Sequence, residues 1–368
     1  MKIYTVTFLI DNYGSILQAY ALQCRLKEFG AEPIIIEPTS NLCHSKIYYS
    51  FRTLMRVLKP VRHYSLMQRI KKQLHVKKYS VKNDKLKLFR DEYLSVLKIP
   101  DKIHFLNQVH EKDVFMAGSD QIWSMAMSST LSPWYTLQWT KEVPNKKYSY
   151  AASIGLSRLT ADQMHGYSIA LALFDTISLR ESQAVDLLAS VFPQKVRQDL
   201  DPTLLYDSSF WRELKAGRLI NEPYIFVYML RPDNNVIRLA RRVAKEKQCK
   251  IIYTGLLADN YKGVNTVCDA GIAEFLSYID NAEAVITNSF HGTAFSVLFE
   301  SPFLSVKVES TSSRVESFLG MTGLMSQYVS DVNNPYSLNV DFTDALQILE
   351  RKRVVSLEYL KSICSLEG

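Results

Sequence analysis

Residues that loosen or interrupt a chain are few, with 13 glycines and 12 prolines in 368 residues. That is too little for long disordered or low-complexity stretches. The five cysteines, Cys24, Cys43, Cys249, Cys268 and Cys364, are scattered and odd in number, with no Cys-x-x-Cys pair among them. Neither a disulfide framework nor a zinc knuckle is indicated, and a reducing compartment fits best. No apolar run approaches the roughly 20 residues of a membrane span. The opening MKIYTVTFLIDNYGS is too short in its apolar run for a secretory leader. His44, His63, His75, His104, His110 and His165 lack acidic neighbours at ligand spacing, so no metal is expected. The expectation is a cytoplasmic protein without a metal or other cofactor.

At 47% hydrophobic, the chain is long enough to bury two ordinary cores. The net charge of +7 is unevenly placed. Between Lys46 and Arg90 there are 14 Lys or Arg against one acid, Asp84, so the remainder is acidic on balance. Leu54, Val57 and Leu58, then Leu66, Ile70 and Leu74, recur at helical spacing on either side of Pro60. Two basic amphipathic helices in an insertion, about 43–100, are the simplest account. Such a block, interleaved with Tyr48, Tyr49, Phe51, Tyr64 and Tyr79, suits an anionic membrane surface through residues 46–90, with a solvated helical face as its plain alternative. No nucleic-acid partner is expected.

Outside that block the pattern alternates strand and helix. Lys2–Leu9 reads as a strand, Asn12–Ser15 as a turn, Ile16–Phe29 as a helix and Pro33–Ile36 as a second buried strand. The turn has one glycine, so a dinucleotide fingerprint is lacking. Further strands deliver Gly118-Ser119-Asp120-Gln121, Ser153-Ile154-Gly155, Arg180-Glu181-Ser182 and Asp201-Pro202-Thr203 at their ends. A second α/β rhythm begins at Tyr224, and Ser312-Ser313-Arg314 follows its strand at Pro302–Val308. A last helical pattern, Thr343–Ile363, follows. The predicted division is 1–210, 211–340 and a helix in 341–368 that returns across the junction.

The stretch 284–301, AVITNSFHGTAFSVLFES, is the most telling. A buried strand breaks at Thr287-Asn288-Ser289 into a buried helix carrying His291. Ligands of open α/β sheets bind beyond the carboxyl ends of strands, and helix starts there suit anions. Imidazole can exchange a proton near neutral pH. A capped turn with a hydrogen-bonded histidine is the plain alternative.

Taken together, NYGSILQAYAL, AGSDQIW, YAASIG, SLRES, DPTLL, TNSFHGTAFS and SSRVESFL, in this order from about residue 3 to 325, resemble the polysaccharide pyruvyl transferase family. GSDQIW and TNSFHGTAFS are the specific parts. The resemblance implies two Rossmann-like domains in a GT-B-like α/β fold, with the site between them. It also implies transfer of pyruvyl from phosphoenolpyruvate to hydroxyls of a sugar in a glycan or lipid-linked precursor, forming a ketal. On that reading Arg180 and Arg314 grip the donor, the helix start at Ser289, Gly292 and Thr293 takes its phosphate, His291 moves a proton and Asp120 handles the sugar hydroxyl. Ser313, Asn12, Gly118, Ser119 and Gln121 line the same crevice. Where many relatives carry Arg-Leu-His, this chain has Ser289-Phe290-His291, so one donor-binding arginine is either missing or supplied from elsewhere. Plainer roles compete: a turn cap for Asp120, pairing with Glu181 for Arg180, covering the junction for Arg314, fixing a turn for Asn12 and Gln18, and a core position for Trp123. Two rival functions are a nucleotide-sugar glycosyltransferase and a non-catalytic, membrane-associated scaffold of polysaccharide assembly.

Overall fold

The computed structural model describes residues 1–39, 66–125, 130–230, 232–255, 261–308 and 312–365. The first half runs β1 (Lys2–Val6), α1 (Tyr13–Glu28), β2 (Glu32–Pro38), α2 (Leu66–Tyr93), β3 (Val96–Ile99), α3 (Lys102–Leu106), β4 (Val114–Ala117), β5 (Lys147–Ser149), α4 (Ala161–Ala170), β6 (Ile177–Leu179), α5 (Ser182–Ala189) and β7 (Val196–Gln198). The second half runs α6 (Ser208–Leu214), β8 (Tyr224–Met229), α7 (Asn234–Lys247), β9 (Lys250–Gly255), β10 (Asn265–Thr266), α8 (Ile272–Asp280), β11 (Ala284–Thr287), α9 (Phe290–Leu298), β12 (Phe303–Val306), α10 (Ser312–Met321), β13 (Tyr328–Val329) and α11 (Thr343–Cys364). Local chemistry sets the boundaries. The Asn12 side chain caps α1 by accepting from Gly14 N. Gly30, left-handed at φ 82°, ends it, with its N–H on Lys27 O and the next N–H on Leu26 O.

One sheet has the order β3-β2-β1-β4-β5 and the other β10-β9-β8-β11-β12-β13, with every pairing parallel. The parallel pair β6-β7 extends the first sheet through single bridges, Tyr148 to Thr176 and Ala152 to Leu179. Both are Rossmann-type orders, in which the winding direction reverses beside the first strand of each sheet. The fold is therefore α/β with two Rossmann-like units. They share a core: Tyr13 of α1 stacks on Phe275 of α8 at 4.3 Å and donates to Ala270 O at 2.8 Å. α11 reaches back to the first sheet, where Tyr359 donates to Ser149 O at 3.0 Å and Ser356 accepts from Leu200 N at 3.1 Å.

The basic block differs in part from its expected form. The first of the two expected helices, with Tyr48, Tyr49, Phe51 and Tyr64, lies outside the described residues. The second is α2, continuing to Tyr93, and β3 inside the expected insertion is the edge strand of the first sheet. The reason is the apolar face that α2 turns inward: Leu86 is fully buried and Phe89 stacks near Tyr20 of α1 at 5.5 Å. Four of the block's cations are already engaged. Lys85 pairs with Glu274, Lys87 with Asp91, and Arg90 lies within 3.7 Å of both Asp11 and Glu37. Lys82 is buried, donates to Gly255 O at 2.9 Å and sits 4.4 Å over the Tyr13 ring. A membrane address would thus fall to the cations between Lys46 and Lys78. No helix among the described residues is long and apolar enough to cross a membrane.

Burial pulls the Lys82 ammonium down to about 8, against partial compensation from Cys268 and Asp11. Below that pH both folded and unfolded chains carry the proton, and the cost of burying the charge is fully present. As pH rises from about 8 towards 10.5, the folded state releases its proton first, so stability gains relative to a chain without this lysine. Urea unfolding of wild type and Lys82→Met at pH 7 and pH 10 should show the difference between them shifting in favour of wild type by on the order of 2–3 kcal/mol. A pH-independent difference would contradict the buried charge.

Candidate active site

The two points of strand-order reversal face one another. On one side, the turn after β1 carries Asn12–Ser15 and the turn after β4 carries Gly118–Gln121. On the other, β8 and β11 end at Tyr228 and at Asn288–His291. The two sides touch through Tyr228, whose hydroxyl donates to Asn12 Oδ1 at 3.2 Å, and through the imidazole of His291. A Cβ added to Gly14 would lie 2.0 Å from His291 Nδ1, so α1 begins against the ring and glycine alone leaves room for it. His291 is 3% exposed, and its Nε2 lies 3.7 Å from Asp201 Oδ2, too far for a hydrogen bond. No hydrogen-bond partner reaches that nitrogen.

Asp201 is the hub. Its Oδ2 pairs with Arg180 Nη2 at 2.7 Å, with both side chains buried. Its Oδ1 accepts from the Thr203 hydroxyl at 2.6 Å and the Thr203 N–H at 2.9 Å. Ser119 accepts from Arg180 at 2.5 Å and donates to Ala151 O at 2.9 Å. Burial by itself would raise the Asp201 pKa. The Arg180 guanidinium, nearby His291 and the Thr203 hydroxyl together outweigh it and hold the carboxyl well below the usual carboxylate range. Asp201 is therefore an anion that fixes Arg180 beside the imidazole.

Arg314, from the first turn of α10, is 6% exposed and stands 3.9 Å from Asp120 Oδ1. Burial and then the neighbouring Arg180 guanidinium lower its pKa, so the two arginines share one buried neighbourhood. Arg180 Nε and Nη1, Arg314 Nε, Ser313 Oγ and one Glu181 oxygen are buried without partners among the described residues. Asp120 sits in the left-handed region at φ 77°, a conformation that costs a non-glycine residue energy and concentrates at functional sites. Its Oδ1 accepts from Gln121 N at 2.8 Å. The group can hold an anion with two guanidiniums, and it places an imidazole and a carboxylate nearby. Among the described residues no cluster of three or more His, Cys, Asp or Glu forms a metal site.

Several residues expected at the crevice serve the scaffold. Gly292 N–H is taken by the Ser289 hydroxyl at 3.4 Å, and Gly292 packs on Thr287 and Tyr228. The Thr293 N–H goes to Ser289 O at 3.0 Å, and its hydroxyl to Ser289 O and Ser305. The helix start therefore does not offer Gly292 and Thr293 to a phosphate, because its own N-cap satisfies them. Asn12 caps α1, Gln18 donates to Thr7 and Ser15 O, and Trp123 is a core residue donating to Tyr135 O. Gly118 lies against Thr7, and the Gln121 side chain lies against Gly155. Residues the sequence reading did not select are Asp201, Glu181 and Gly14. Their signal was available, since each stands in a polar cluster just after a strand.

These features place the candidate site between the two Rossmann-like units of a GT-B-like α/β fold. The chain belongs to the polysaccharide pyruvyl transferase family, whose model matches residues 12–310. Among solved structures it is similar to Arabidopsis thaliana UGT89C1 complexed with UDP, at 9% identity and TM-score 0.50, covering 99% of this chain and 100% of that one. It is also similar to UDP-N-acetylglucosamine 2-epimerase from Rickettsia bellii, at 13% identity and TM-score 0.46, covering 99% and 98%. The first of these likenesses supports the fold alone. No curated protein matches the sequence significantly.

The contact between Gly14 and His291 predicts a non-additive pair. Gly14→Ala should cost about 1–3 kcal/mol by overpacking. Most of that loss should vanish in a His291→Ala background, where the obstructing ring is gone. Urea unfolding of the four-member cycle measures the coupling; additive losses would show that the ring is not against Gly14.

Proposed function

We propose that this chain transfers pyruvyl from phosphoenolpyruvate to two hydroxyls of a sugar in a polysaccharide precursor, closing a ketal. The observation that carries the reading is the pair of buried arginines, Arg180 and Arg314, the first close enough to disfavour the charge on the second, each with N–H groups unpartnered among the described residues. A small dianionic or trianionic ligand relieves that repulsion, and phosphoenolpyruvate carries a carboxylate and a phosphate close together. Ser289, which stands where the Arg-Leu-His form of the motif has its arginine, serves here as an N-cap.

The chemistry then divides among the remaining groups. Protonated His291 delivers a proton to the methylene carbon, making it a methyl and leaving the adjacent carbon electron-poor. A sugar hydroxyl forms a bond to that carbon and passes its proton to Asp120. The C–O bond to phosphate breaks as Asp120 passes that proton on to the departing phosphate oxygen, releasing inorganic phosphate, and a second sugar hydroxyl bonds to the same carbon in its place. The proton from that hydroxyl restores His291. Arg180, fixed by Asp201, stabilises charge on the departing phosphate without having to reorganise. The site operates without a metal or other cofactor, in the cytoplasm, with a glycan or lipid-linked sugar as acceptor.

Phosphoenolpyruvate should bind and raise the melting temperature, as a native-state ligand does. Arg180→Ala and Arg314→Ala should each weaken binding by about 1.5–3 kcal/mol, read by calorimetry. His291→Asn should keep the fold and reduce acceptor-dependent phosphate release by roughly 10²–10⁴. Wild-type affinity in both arginine variants, or near-full turnover in His291→Asn, would contradict these assignments.

A further inference from the structure

Arg180 and Arg314 also line a cavity of about 40 Å³ to which α10 and α11 contribute Ser317, Lys352 and Ser356. The charged side chains that line it are Arg180, Asp199, Asp201, Arg314 and Lys352. The volume suits a few waters or one small anion rather than a sugar. Both guanidiniums are more than nine-tenths buried, and Arg180 Nε and Nη1 and Arg314 Nε have no hydrogen-bond partner among the described residues. The charges in the wall do not cancel. Asp201 is matched by Arg180, Asp199 by Arg197 at 2.7 Å, and Arg314 stands 3.9 Å from Asp120, which leaves Lys352 in excess among the described residues. Lys352 is exposed at the mouth and makes no ion pair with any described residue. Arg314 and Lys352 both lie beyond residue 310, where the family match ends.

From this we infer that the cavity receives the phosphate group of the donor and that Lys352, on the C-terminal helix, is a third phosphate-binding cation. The inference rests on the phosphoenolpyruvate reading for the donor's identity, but not for the class of ligand, which is a phosphate. It gives α11 a role in substrate selection: a dianionic phosphate meets two buried guanidiniums within and an ammonium at the rim. A carboxylate alone gains little from Lys352. The lysine is exposed, so replacing it leaves the fold intact. Truncating α11 would remove the buried Leu349, Leu360 and Ile363 and is uninformative.

The test is calorimetric titration of wild type, Lys352→Glu, Lys352→Ala and Lys352→Arg with phosphoenolpyruvate, inorganic phosphate and pyruvate, at low and high salt. Lys352→Ala should raise the Kd for both phosphate probes by roughly threefold, Lys352→Glu by fivefold or more, and Lys352→Arg should restore binding. Melting temperatures should stay unchanged, pyruvate affinity should not move, and the salt dependence of phosphate binding should weaken in the alanine variant. Equal affinity of all four proteins for the phosphate probes, or no phosphate binding by wild type, would overturn the inference. If wild type binds inorganic phosphate in a Lys352-dependent way but ignores phosphoenolpyruvate, the cavity assignment stands and the donor reading falls.

Discussion

The buried ion pair between Asp201 and Arg180 is the constraint on which the rest of the site depends. Two opposite charges out of water are tolerable only with close geometry and further hydrogen bonds, and Thr203 and Ser119 provide them. The pair fixes a guanidinium at the end of β6 and sets a permanent anion 3.7 Å from His291, which arrives from the other domain. Removing Asp201 would leave Arg180 buried without its charge partner and His291 without its anionic neighbour. The site is thus assembled across the interface, and its geometry depends on how α1 and α9 meet at Gly14.

That meeting is tight, and so is the rest of the junction. Tyr13, Tyr228, Lys82 and α11 each tie one domain to the other through buried hydrogen bonds or stacking. Catalysis by preorganised groups favours such rigidity, because dipoles and charges already in place need no reorganisation as charge develops. The cost is concentrated in Asp120, which occupies a left-handed backbone conformation, and in the repulsion between Arg180 and Arg314.

Much of this was legible in the sequence because strand ends announce themselves. Apolar runs followed by short polar clusters located Asp120, Arg180, His291 and Arg314, and parallel topology alone brings such clusters to one edge. What the sequence could not show was direction. Gly292 and Thr293 sit at the right helix start but point into the sheet, since Ser289 and Thr287 satisfy or cover them. Asp201 looked like a turn residue and is the charge partner at the centre. Gly14 looked like a turn glycine and makes room for a side chain some 280 residues away in sequence. Long-range pairing of this kind leaves no local periodicity to read. The basic block was read as a membrane-facing surface, with a solvated helical face as the alternative; within it Lys82 and Lys85 fasten α2 to the second unit and Arg90 fastens it to the first.

A crystal structure of the complex with phosphoenolpyruvate tests the central claim most directly. The account predicts density bridging Arg180 and Arg314, with the methylene carbon turned towards His291. Density elsewhere in the cleft, with both guanidiniums untouched, would contradict it.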